Sequence, residues 1–172
     1  YANLKGLQEV IKKKGFRTTL NKELLLNYKV EEIDLSTKEG AIKADKVSIT
    51  YSNVNTSGYT YDSENKVYLR TINGKAHTDY DTKKQYTVKN IITYQVANNT
   101  IPDGGKGRQE LSNTGSGTGY YISNGYAVPI KWSKDSRENQ TKYTYMNGEE
   151  IEVNDGNTFI QIQPKDQNIT IE

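Results

Sequence analysis

Across 172 residues the chain carries 23 basic and 21 acidic side chains, a formal net charge of +2, fourteen tyrosines, one histidine and no cysteine. This balance leaves no concentrated basic face for nucleic acid, and the lack of thiols removes disulfides, thiolate nucleophiles and cysteine metal sites. Aliphatic content lies near the level that flags disorder, but the low net charge and the many large tyrosine rings favour a folded, polar-surfaced chain of one domain, or one domain with part of another.

The sequence starts at Tyr1 with no signal h-region and no apolar run long enough to span a bilayer, so it reads as a mature or truncated segment. Asn3 is placed to cap a first helix whose Leu4, Leu7, Val10 and Ile11 share one face and which Gly15 can end, with Phe16 folding back on that face. The run Lys12-Lys13-Lys14 with Arg17 falls where cations complement a helix dipole. Asn21 can cap a second short helix through Leu24, Leu25 and Leu26; alternatively that triplet is a buried connection.

From about Lys46 the period switches to two, as Val47, Ile49 and Tyr51 alternate with polar residues. Three pairs, Asn73-Gly74, Asn124-Gly125 and Asn147-Gly148, suit the positive-φ positions of tight hairpins. Strands are expected over 66–72, 87–96, 119–123, 126–132, 142–146, 150–153 and 158–163. Tyr126, Val128, Ile130 and Trp132 share a buried face, and Pro129, lacking an amide donor, predicts an edge or a bulge. Residues 103–119 read as a glycine-rich loop with one short strand near 108–111. The resulting fold class is α+β: mostly antiparallel twisted sheet or sheets, with the N-terminal helix packed on one face unless it belongs to a preceding domain.

Gly115-Ser116-Gly117-Thr118-Gly119 looks like a phosphate loop in composition, but it leads into a strand rather than a helix, and no Gly-Lys-Ser/Thr follows. His77, Asp79 and Asp81 form the one dense polar cluster, with alternate spacing that puts all three on one side of an extended segment. It suits a polar turn in which carboxylates accept backbone hydrogen bonds, and alternatively a bound cation or acid/base chemistry. No serine elbow accompanies His77, whereas a glycosidase carboxylate pair leaves no local sequence mark. Arg108, Lys131 and Trp132 form a candidate binding surface, although a lone Trp on an alternating strand is more often core. Asn55, Asn98, Asn139 and Asn168 each open a glycosylation triplet, which matters only in a compartment that glycosylates it.

The ordered motifs Lys13-Lys14-Gly15-Phe16-Arg17, Gly74-Lys75-Ala76-His77-Thr78-Asp79, Gly107-Arg108-Gln109-Glu110-Leu111 and Ile130-Lys131-Trp132-Ser133-Lys134 resemble the YerB-like lipoproteins, bacterial proteins with two domains of unknown function. The ending Asn154-Asp155-Gly156-Asn157-Thr158-Phe159-Ile160 agrees, with Phe159 where the family's Trp is expected. The resemblance implies that residues 1–45 are the helical end of the family's N-terminal domain and 46–172 its β-rich C-terminal domain. It also implies a location outside the cytoplasmic membrane, with a lipid anchor at an N-terminus not included here. No catalytic residues or cofactors come with it. The expectation is a non-catalytic module that binds another envelope protein or a cell-wall glycan; the rival is a carboxylate-dependent envelope hydrolase using His77, Asp79 and Asp81.

Overall fold

The computed structural model describes residues 3–19 and 24–172. Helix α1 (Leu4–Lys14) starts where the Asn3 side chain accepts from the Gly6 amide at 2.8 Å and ends at Gly15, whose φ of 64° lets its backbone amide close on Ile11 and Lys12. No residue of α1 is buried, and Leu4 is 71% exposed. The expected packing of this helix on a sheet face is therefore not made. Leu26, Ile33 and Leu35 fill a sheet-face core instead.

The second short helix is not formed over the residues described: Leu24 and Leu25 are exposed irregular chain and Leu26 is buried, while its cap Asn21 lies outside the described residues. The chain continues as β1 (Asn27–Lys29), a 3-10 turn (Leu35–Thr37), β2 (Ile42–Lys43), β3 (Lys46–Ser52), β4 (Asn55–Asp62), β5 (Val67–Ile72), β6 (Lys75–Ala76) and β7 (Thr87–Val88). Then come β8 (Asn90–Val96), β9 (Asn98–Thr100), β10 (Gln109–Leu111), β11 (Gly115–Ser123) and β12 (Tyr126–Lys134). The last are β13 (Lys142–Tyr145), β14 (Glu152–Asn154), β15 (Thr158–Pro164) and β16 (Ile169–Ile171).

Two sheets carry the fold. One runs β13-β12-β11-β8-β15, with β2 also on β12; the other runs β16-β3-β4-β5-β6, with β7 also on β5. Pairing is antiparallel except for β15 on β8 and for the separate pair β1 and β14. Because successive strand residues face opposite ways, β8 feeds two cores. Ile92 and Tyr94 join Tyr121, Val128, Ile130, Trp132 and Tyr143 on the face closed by Leu26 and Leu35. Ile91 joins Ile122, Val47, Ile49, Tyr59 and Tyr68 between the sheets.

Two strand expectations change. Gly115–Gly119 is part of β11, paired residue by residue with Lys134–Ile130, so its glycines lie in a ladder rather than a loop. Strand β12 is interior, not an edge: β13 pairs with Ile130 to Ser133 and β2 with Tyr126 and Ala127, and Pro129 sits in the gap where no donor is required.

Candidate functional site

The polar cluster on the β6–β7 arm forms a hydrogen-bonded turn around Asp79. Asp79 accepts from the backbone amides of Thr82 at 2.8 Å and Asp81 at 3.2 Å, from the Thr82 hydroxyl at 2.9 Å and from the Tyr86 hydroxyl at 3.1 Å. The Thr82 backbone contact above all holds this carboxyl below the usual carboxylate range, and the same carboxylate pushes the Tyr86 hydroxyl up. His77 turns elsewhere: its Nδ1 faces Arg70 Nη1 and its ring lies 4.7 Å from that of Tyr86. Asp81 gives its backbone amide to Asp79. The Asp79 side chain thus serves the turn and His77 a strand contact, while Asp81 joins the turn through its backbone, and among the described residues no group of three or more His, Cys, Asp or Glu is placed to hold a metal ion.

Arg70 was not singled out by the sequence, although its alternation with Tyr68 and Ile72 on β5 marks it as facing the other sheet. Its guanidinium lies 5.0 Å from the centroid of the Phe159 ring and donates to Ser57 Oγ at 3.2 Å, while its buried Nε has no partner. Beside it, Gln161 donates to the Tyr59 hydroxyl at 2.7 Å and accepts from the Tyr51 hydroxyl. Burial pushes Tyr51 up to about 12, so these phenols stay neutral.

Arg108, Lys131 and Trp132 do not present a common surface. Trp132 is 3% exposed, with its ring 4.8 Å from that of Tyr94, so it is core, as its place on an alternating strand favours, and not a binding platform. Lys131 points to the other face of β12 and donates to the Met146 carbonyl at 3.0 Å, and Arg108 pairs with Asp103 inside the β9–β10 loop.

A cavity of about 280 Å³ opens at one end of the two-sheet stack, lined by Thr93, Gln95, Thr118, Tyr120, Pro129 and Gln163, with Met146 and Ile169 as further walls. The register places those first six residues on one face of the β13-β12-β11-β8-β15 sheet: Tyr120 lies opposite both Thr93 and Pro129, and Gln163 opposite Gln95. No charged side chain lines it. A wider, more open hollow of about 590 Å³ near Leu24 carries Asp135, Glu138 and Glu150 on its wall.

Two packed β-sheets around two cores, with one exposed helix, define a β-rich domain of α+β class. Residues 47–160 match the family described as protein of unknown function (DUF3048), C-terminal domain, and the chain belongs to that family. The crystal structure of the YerB protein from Bacillus subtilis aligns with 98% of this chain at a TM-score of 0.72 and 21% identity, which shows a shared fold. The chain spans 54% of that structure's length. No curated protein matches.

Proposed function

We propose that this chain is a non-catalytic binding module of the bacterial cell envelope. It works outside the cytoplasm on another envelope protein or a wall glycan, held to the membrane by a lipid anchor carried on a longer form. One observation carries the binding reading: of the acid/base cluster, His77 is engaged with Arg70 and Asp79 with the turn, to which Asp81 gives its backbone amide, whereas the cavity at the end of the sheet stack is lined by uncharged polar and apolar groups. The resemblance of its motifs to YerB-like lipoproteins supports the location.

The test is affinity capture from crosslinked envelopes with the full-length lipidated protein and with this 172-residue segment. Enrichment of the same envelope proteins or wall fragments by both is the expected result. Capture by neither, together with release of soluble products from purified wall by the segment, would overturn the reading in favour of a hydrolase.

A further inference from the structure

We propose that Lys89 and Asn124 join in an intramolecular isopeptide bond, with Glu32 moving the protons. Three polar side chains from distant parts of the chain meet in a triangle. Lys89, between β7 and β8, donates from Nζ to Asn124 Oδ1 at 2.6 Å. Asn124, in the β11–β12 turn, donates from Nδ2 to Glu32 Oε1 at 2.8 Å, and the same Oε1 lies 3.4 Å from Lys89 Nζ. Lys89 Nζ also reaches the Lys66 carbonyl at 3.3 Å. An amine, a carboxamide and a carboxylate in mutual contact are the nucleophile, electrophile and proton relay that this amide bond requires.

The sheet holds the amine and the carboxamide together. Ser123 pairs with Asn90 in the β8–β11 ladder and donates from Oγ to the Lys89 carbonyl at 3.1 Å, so residues 89 and 124 start from fixed backbones. The Lys89 amide donates to Asn157 Oδ1 at 3.0 Å. Gly156 leaves room for the lysine stem, since a Cβ there would fall 2.7 Å from Lys89 Cβ, and the Lys89 side chain is only 16% exposed. Reactants held in contact reach effective molarities of roughly 10⁵–10⁸ M. That outweighs the roughly thousandfold scarcity of neutral amine in an ordinary lysine at neutral pH.

The step balances without an added reagent. Lys66, bonded to Glu32 Oε2 at 2.6 Å, is the main cause that holds the Glu32 carboxyl below its ordinary value, so this group stands ionised as a base. Two protons pass in turn from Lys89 Nζ through Glu32 to Asn124 Nδ2. The first transfer frees the lone pair that attacks Asn124 Cγ, and the second follows as the new C–N bond forms. The bond from Cγ to Nδ2 then breaks, ammonium leaves, and Glu32 ends ionised as it began. The rival attack on an Asn-Gly carboxamide comes from the next backbone nitrogen, but Gly125 N donates to the Tyr68 hydroxyl at 3.1 Å and is held there. In a chain without cysteine, the isopeptide ties the start of β8 to the β11–β12 turn where no disulfide can.

The test is the intact mass of the 172-residue chain after incubation at neutral and at mildly alkaline pH. The Glu32 side chain is 45% exposed, so water reaches the relay and the bond should accumulate over hours to days, faster at alkaline pH where more amine is neutral. The expected product is lighter by one ammonia, and its tryptic digest contains a branched peptide joining Lys89 to Asn124. Lys89→Arg, which keeps the cation, and Glu32→Gln, which keeps the shape and removes the relay, should both retain the full mass while circular dichroism shows them folded. Full mass in the wild type under every condition would overturn the proposal. The same ammonia loss in Lys89→Arg would overturn it too, because the loss would then belong to a succinimide at Asn124-Gly125. A branched peptide formed at the wild-type rate in Glu32→Gln would overturn the role given to Glu32.

Discussion

The guanidinium of Arg70 lies over the ring of Phe159, 5.0 Å from its centroid, and joins the inner faces of the two sheets. Phe159 stands where the YerB-like motif leads one to expect Trp, so this ring position meets a cation within the fold. A cation over an aromatic face contributes about 0.5–2 kcal/mol according to its burial. A double-mutant cycle with Arg70→Met and Phe159→Leu, followed by urea unfolding, should give a coupling of about 1 kcal/mol. Strict additivity would mean the two side chains are neighbours without an energetic bond.

Asp79 predicts a pH dependence with a defined sign. Its carboxyl is held below the ordinary value of 3.8, chiefly by the Thr82 backbone amide, so the folded state favours the ionised form. A depressed folded pKa gives stability that is present above the unfolded value and lost as pH falls through the folded one. Carbon-detected titration of the carboxyls should place Asp79 below its ordinary value of 3.8. In Asp79→Asn the stability difference from wild type should shrink in that acidic window and stay constant near neutral pH.

The outward-facing helix separates two leucine substitutions that sequence patterning treats alike. Leu7 on α1 is 49% exposed and Leu35 is 0% exposed within the core beside β12. Leu7→Glu should change the stability of this chain by no more than about 0.5 kcal/mol, and Leu35→Ala should cost about 2–5 kcal/mol. Urea midpoints compare them directly. A large loss from Leu7→Glu would show that the helix packs on the domain in solution.

Much of the fold was legible because a half-buried strand writes its period into the sequence. Val47, Ile49 and Tyr51 lie as their alternation predicts, and two of the Asn-Gly pairs supply positive φ at Asn73 and Gly74 and at Asn124 and Gly125. Composition failed where a local signal competed with long-range pairing. The glycines of 115–119 suggested a loop, yet they let β11 pass close to its neighbours. The helix stripe showed only that α1 has an apolar face, not that Leu26 to Leu35 would take the sheet. The cavity left no motif at all, since Thr93, Thr118, Tyr120 and Gln163 come from three strands aligned by the antiparallel β8–β11 and parallel β8–β15 ladders.

Two of those glycines are tests of close approach. A Cβ on Gly119 would fall 2.2 Å from the Thr93 carbonyl oxygen, a backbone atom in the sheet interior, and one on Gly117 would fall 2.8 Å from Trp132 Nε1. A side chain can give way more easily than a paired strand. Gly119→Ala should therefore cost about 3 kcal/mol and Gly117→Ala about 1–2 kcal/mol in denaturant unfolding. The reverse order would mean that β8 and β11 separate more readily than the indole moves.

Tyr121 and Trp132 are both large, buried and equipped with a polar atom, but only one of those atoms is used. The Tyr121 hydroxyl donates to Asn90 Oδ1 and accepts from the Asn154 amide, both at 3.0 Å, while Asn90 donates back to the Asn154 carbonyl at 2.8 Å. Burial pushes this phenol well above its ordinary value, so it stays a donor at neutral pH. Tyr121→Phe leaves an acceptor and an amide unpaired in the core, each costing about 1–3 kcal/mol. Trp132→Phe removes an N–H that has no partner, so it loses ring volume alone. Hydrogen exchange distinguishes the two effects: the Asn154 amide should lose protection in Tyr121→Phe beyond the global change and follow global stability in Trp132→Phe. Equal behaviour of Asn154 in both variants would show that the hydroxyl does not bridge β8 to β14.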